Sequence, residues 1–341
     1  MSELVTRRPL VPKPVLRRRA IALALLPVFT FAAVALVPGL SATGERLGHA
    51  RPAWIAAAVT LELLSALGFV AVFHLSFGER FSPALSSRMA LSVLAATVFL
   101  PAGGLVAIVL GARALSRRGM PKARVAARAI AFLLVTNAPN LLVLGVLGLL
   151  LGSGILDGPH TPALTALPAA LALSAIAVTM LVPVVSHQRT TTSPARTIPR
   201  RWVSTAIGQL EEGVLEARAL LARRNWKLLG AFAYYAFDNA VLWAAFEASG
   251  HTTPSLAVLA MAYLIGALAG NLPLPAGIGA FEGGLTGMLV VYGAPVACAV
   301  AAVLTYRTIS TLLPMLLGGL AYPGLRRRPE LAHESAPLPA R

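Results

Sequence analysis

The chain has 341 residues, of which 57% are hydrophobic and only 12% charged. A soluble domain carries about 25% charged residues, so a soluble globular protein is excluded. The net charge of +16 would suggest nucleic acid in a soluble chain, but here the basic residues gather in the segments between apolar runs, so nucleic acid is excluded as a partner.

Residues 1–19 hold six of the basic residues and read as a cytoplasmic tail. "RRRA" at 17–20 followed by the apolar stretch 21–37 has the outline of a signal peptide, with Ala33-Val34-Ala35 at cleavage-site spacing. The apolar stretch is long for that role, and the later spans make a cleaved leader unnecessary. Apolar runs at 20–40, 53–75, 125–151, 163–186, 227–247 and 295–320 each approach the roughly 20 residues that cross a hydrocarbon core of about 30 Å. Six spanning helices are therefore predicted. With the N-terminus in the cytoplasm, 26 of the 29 Lys and Arg fall on that side, against Arg46 and Arg51 on the other and Arg307 inside a span. Both termini are then cytoplasmic, loops 41–52, 152–162 and 248–253 lie outside, and anionic membrane lipids are the expected contacts. Cys298 is the single cysteine, which excludes an intrachain disulfide or a thiolate cluster.

An internal repeat underlies this plan. "LAATVFLPAG" at 94–103 matches "LAGNLPLPAG" at 268–277 in six of ten positions at an offset of 174 residues, and the match runs on without a gap: Gly119 and Pro121 fall on Gly293 and Pro295. Repeat one covers 53–151 and repeat two 227–320, within one transmembrane domain spanning 20–320. Each copy holds a span, a segment broken at "LPAG", and a further span. In copy one the piece from Ala102 to Ala112 is only 11 residues, about 16 Å of helix, before a basic run begins. That is too short to cross, and it fits the return arm of a re-entrant hairpin. The fold expected is all-α and polytopic, with about six spanning helices plus two re-entrant hairpins in an inverted repeat. The hairpin tips are assigned to Pro101, Gly103, Pro273, Pro275, Gly277 and Gly279. Broken backbone survives at membrane depth only where protein or a polar cavity satisfies its freed N–H and C=O groups. A short loop outside the hydrocarbon remains the alternative for "PLPAG".

Between the halves, apolar residues at Val203, Ile207, Leu210, Val214 and Leu221 make one helical face, which predicts an amphipathic cytoplasmic linker helix over 202–224. The Pro- and Arg-rich stretch 321–341 reads as a disordered cytoplasmic tail.

Glu62, Asp238, Glu282 and Arg307 are the ionisable residues inside predicted spans or hairpins. Each would cost about 2.5–3.5 kcal/mol in lipid, so each must face protein or water. Counting residues from the outer ends of their segments puts Arg307 about 18 Å deep and Glu282 about 15 Å, so the two can pair. Their pair is either a structural salt bridge or a site where Arg307 takes a phosphate and Glu282 neutralises it when empty. Asp238, beside Tyr234, Tyr235 and Asn239, lines a cavity or binds a cation or proton, and Glu62 faces the same choice. Asn137, Asn140 and Asn271 serve either as partners of broken backbone or as ligands. No phosphate-binding glycine loop, metal-ligand spacing or nucleophile elbow occurs, so no cofactor, no metal and no enzymatic activity are expected.

The run "PLPAGIGAFE" from Pro273 to Glu282, followed by Tyr306-Arg307 in the next span, resembles the transmembrane region of the lysylphosphatidylglycerol synthase/flippase proteins. The likeness is specific in the second repeat and diffuse over about 20–320. It implies a bacterial inner-membrane protein of the lipid-flippase type, with Glu282 and Arg307 matching its acid and arginine; Tyr306 and Asn271 are counted with them as candidate substrate-binding residues. Ala276 stands where a glycine is expected, and the first hairpin lacks an acid. Only a 19-residue tail follows Tyr322, so the soluble aminoacyl-transferase domain and lysine transfer are not expected. The function anticipated is translocation of an anionic or polyprenyl-linked lipid. A non-transporting scaffold for a separate lipid-modifying enzyme is the competing possibility.

Overall fold

A computed structural model describes residues 51–78, 81–99, 120–158, 161–189, 198–249, 253–270 and 280–326. Among these residues the secondary structure is helical, with no strand. In chain order the helices are α1 (Pro52–Phe77), α2 (Pro83–Phe99), α3 (Lys122–Gly152), α4 (Ala166–Arg189), α5 (Ile198–Ala222), α6 (Leu229–Ala248), α7 (Leu256–Gly270), α8 (Ala280–Val291) and α9 (Val296–Arg326). Within α1, α3, α4 and α9 lie four stretches long and apolar enough to cross a membrane, Pro52–Phe77, Ala123–Gly152, Ala166–Pro183 and Val296–Ala321. α6 has 20 residues, about 30 Å by helical rise, and carries Tyr234, Tyr235, Asp238 and Asn239 in its middle. Large apolar side chains such as Leu67, Leu149, Leu171, Val178, Leu316 and Leu320 stand exposed on these helices, as the outer surface of a polytopic membrane protein requires. The apolar run 20–40, residues 1–19 and residues 327–341 lie outside the described residues, while residues 321–326, expected to open the disordered tail, instead continue α9.

α7 and α8 have 15 and 12 residues, about 22 Å and 18 Å. Neither is long enough to span the hydrocarbon alone. They pack along each other, and at their contact a Cβ on Gly266 would lie 3.0 Å from the Leu285 backbone. The close approach is one that glycine permits. The expected tips at Pro273, Pro275, Gly277 and Gly279, with Asn271, lie outside the described residues, as do Pro101 and Gly103 of the first hairpin. After α8 the chain turns through Gly293, whose φ of +96° suits glycine, and enters α9 after Pro295.

The most extensive helix contact is between α1 and α6, and its register shows their directions. The Arg51 amide donates to the Ala248 carbonyl at 3.0 Å, the Trp54 and Trp243 rings meet edge to face at 5.0 Å, and the Ser65 hydroxyl donates to the Tyr234 carbonyl at 2.9 Å. Gly68 packs on Gly230. Advancing along α1 retreats along α6, so the two helices are antiparallel. Several further contacts are paired in the same sense: α2 packs on α9 as α7 packs on α3, and α1 packs on α3 as α6 packs on α9.

The amphipathic segment between the halves forms α5, four residues earlier at its start than the sequence suggests, and buries Val214, Ala217 and Leu220 against α3 and α4. Arg128 of α3 pairs with Glu216 at 3.0 Å, and the Arg218 guanidinium donates to the Met180 carbonyl at 2.7 Å. The apolar interior forms two clusters. One gathers Phe69, Phe73, Phe77 and Phe132 between α1, α2 and α3, and the other gathers Leu242, Phe246, Leu259 and Leu285 between α6, α7 and α8.

Candidate functional site

A polar cavity of 190 Å³ lies at the seam between the two clusters. It is lined by Glu62 from α1, Leu94 from α2, Tyr234 and Asp238 from α6, Tyr263 from α7, Phe281 from α8, and Tyr306, Arg307, Ser310 and Pro314 from α9. Glu62 is the eleventh residue of α1 and Asp238 the tenth of α6, each roughly 15 Å along its helix. The polar residues therefore meet near mid-helix, where side chains exposed to lipid would find no hydrogen-bond partner.

Asp238 is the centre of the polar contacts. Its Oδ2 accepts from the Tyr306 hydroxyl at 3.0 Å and from the Tyr263 hydroxyl, and the Glu62 carboxyl lines the same cavity. Both acids are buried, Glu62 at 5% and Asp238 at 9% exposure, and for Asp238 the two hydroxyls offset the cost of that burial. The Tyr263, Phe281 and Tyr306 rings pack on one another with centroids 5.9 to 6.2 Å apart. They form a wall that holds the two hydroxyls on Asp238. Behind them the Tyr235 hydroxyl donates to Asn137 Oδ1 at 3.0 Å, while the Asn137 amide donates to the Leu133 carbonyl. Asn137 thus partners backbone in the turn preceding Pro139 and ties α3 to α6; Asn140 is buried nearby.

Arg307 pairs with Glu282 through Nε to Oε1 at 2.6 Å, and their side chains keep 32% and 20% exposure. The pair is reachable from the cavity mouth, unlike Asp238. The guanidinium also lies over the Phe281 ring at 5.6 Å, a cation–π contact that fixes its plane. Glu282 sits in the first turn of α8, where the helix dipole favours a carboxylate.

Five of the residues singled out in the sequence, Glu62, Asp238, Glu282, Tyr306 and Arg307, come together here; Asn271 falls outside the described residues. Tyr263 was not anticipated. Replacing Tyr263 by phenylalanine removes one donor to a buried carboxylate, and about 1–2 kcal/mol of stability is expected to go with it. Thermal unfolding in detergent measures this, and Tyr292→Phe, which removes a hydroxyl donating to the Leu164 carbonyl outside the cavity, serves as the comparison.

Among the described residues no cluster of three or more His, Cys, Asp or Glu could hold a metal ion. The cavity offers a cation that can be reached, a carboxylate that neutralises it, and a buried acid pair hydrogen-bonded by tyrosines. No curated protein matches the chain. The family model described as the lysylphosphatidylglycerol synthase TM region matches residues 19–318, which is most of the 341 residues, and the chain belongs to that family of membrane domains.

Proposed function

We propose that this membrane domain translocates a phosphate-bearing lipid, anionic or polyprenyl-linked, between leaflets. The observation that carries the proposal is the Arg307–Glu282 pair at the mouth of a mid-helix cavity. An exposed fraction of about a third leaves Arg307 open to an incoming oxyanion, and its planar fork suits a phosphate better than a monodentate carboxylate contact does. Glu282 holds the charge balance when the site is empty and gives way when a phosphate arrives. The cavity of 190 Å³ has room for about six waters at roughly 30 Å³ each, so it takes a headgroup phosphate and not a whole lipid. The acyl or prenyl chains stay in the bilayer.

Two helices of opposite direction, α1 and α6, meeting at the same cavity also suit alternating access, in which two related halves gate one central site. In this proposal both termini face the cytoplasm of a bacterial inner membrane, in keeping with the skew of basic residues. The protein performs no bond chemistry, and the driving force is downhill or ion-coupled.

The test is leaflet exchange in proteoliposomes with a panel of fluorescent phospholipids and polyprenyl phosphates. Purified wild-type protein is expected to accelerate exchange of at least one phosphate lipid above the protein-free rate. A stably folded protein that moves none of the panel, and that copurifies with a lipid-modifying enzyme whose activity requires it, would establish the scaffold function instead.

A further inference from the structure

The acid pair is not needed to hold a phosphate, and a second carboxyl beside a phosphate site opposes binding through its charge. Its geometry therefore asks for a separate role. Glu62 and Asp238 come from antiparallel helices that cross within a few residues of them, and an ionised carboxylate can only accept hydrogen bonds. Two buried carboxyls facing one small cavity resist being ionised together, so a proton taken up there is shared by the pair. One oxygen of the pair is left over: Glu62 Oε2 has no hydrogen-bond partner, although the residue is 95% buried and lines the cavity. An orphaned acceptor in so buried a position is costly unless something binds it.

We infer that the Glu62–Asp238 pair is a proton-binding site whose occupancy is coupled to phosphate binding at Arg307. The inference rests on the translocation proposal, whose energy source it would supply. Among the described residues, the titratable and charged groups facing the pair are Tyr234 and Tyr235 on α6, Tyr263 on α7, Glu282 on α8, and Tyr306 and Arg307 on α9; α2 contributes only Leu94. Arg307 is the one cation among them, and it lines the same cavity as the two acids. A phosphate that neutralises Arg307 withdraws that charge from the acids and places a negative group beside them. A proton entering the pair from the cavity compensates, so lipid and proton each favour binding of the other, and by linkage they do so equally. Two carboxyls are too few ligands for a divalent cation, which takes six or more oxygens, and the two tyrosine hydroxyls already spend their protons on Asp238.

The experiment is titration calorimetry of the full chain in detergent with dihexanoylphosphatidylglycerol, whose phosphodiester does not titrate in this range, in buffers of differing ionisation enthalpy across pH 5.5 to 8. Wild type is expected to take up about one proton per lipid bound, with affinity falling up to tenfold per pH unit as the pH rises. Glu62→Gln keeps the shape but leaves no second carboxyl to share a proton with Asp238. It should bind the lipid with no proton uptake and a flat pH profile, and Asp238→Asn should do the same if it folds. Lipid binding without proton uptake in wild type, or an affinity that follows sodium concentration instead of pH, overturns this inference and leaves the translocation proposal standing. Absence of binding to wild type at every pH overturns both.

Discussion

Replacing Arg307 by alanine is expected to abolish lipid exchange and to destabilise the protein together. The Glu282 carboxylate, 2.6 Å from Arg307 Nε and 20% exposed, then loses its cation. Breaking a fully buried pair costs about 3–5 kcal/mol; with both side chains partly exposed, about 2 kcal/mol is expected, seen as a lower unfolding temperature in detergent. The double change Glu282→Gln with Arg307→Gln removes both charges and should recover much of that stability, because no group is left ionised and unpaired. It should not recover exchange. Stability and transport therefore separate in the double variant, which distinguishes a phosphate-binding arginine from one that only staples α8 to α9. If Arg307→Ala matches wild type in both, neither role survives.

The second large effect is expected where α1 crosses α6. A Cβ at Gly68 would sit 2.7 Å from the Gly230 carbonyl oxygen and 2.8 Å from the Tyr234 amide nitrogen, contacts that no rotamer can relieve because the obstacle is backbone. Gly68→Ala should cost about 1–3 kcal/mol, the usual penalty of overpacking, and Gly68→Leu should leave little folded protein. The same crossing sets the spacing of Glu62 and Asp238, so any Gly68→Ala protein that folds should also lose exchange. Gly283→Ala, at a position where a Cβ meets nothing within 4 Å, is the control and should be tolerated. Size-exclusion profiles of the solubilised variants give the answer directly. A monodisperse Gly68→Leu protein with wild-type thermal stability would mean that the close approach is not required.

These two predictions also mark what the sequence makes legible. The helices follow from apolar runs of membrane length: the runs at 53–75 and 125–151 become α1 and α3, and the polar interruption at 270–279 separates α7 from α8. The Arg307–Glu282 pair follows from counting rise along two segments, because a charge that cannot face lipid leaves few partners at its depth. The meeting of Glu62 with Asp238 does not follow in that way. It depends on α1 and α6 running antiparallel with Gly68 against Gly230, a register set by three-dimensional contact between segments some 160 residues apart. Tyr263 is harder still, since it lies within "LAVLAMAYLIGALAG", where a single hydroxyl does not disturb the apolar pattern. Its partner Asp238 carries the signal instead, as a buried carboxylate that must find donors.

The central claim is that Arg307 reads the phosphate of a lipid passing between leaflets. Its most direct test is leaflet exchange in one set of proteoliposomes for two lipids with the same fluorescent acyl chain, phosphatidylglycerol and the neutral glycolipid glucosylceramide. The phosphate lipid should exchange faster than in protein-free vesicles and should lose at least tenfold of that gain in Arg307→Ala, while the glycolipid stays at the protein-free rate throughout. Equal acceleration of both lipids, or full phosphatidylglycerol exchange in a folded Arg307→Ala protein, would contradict it.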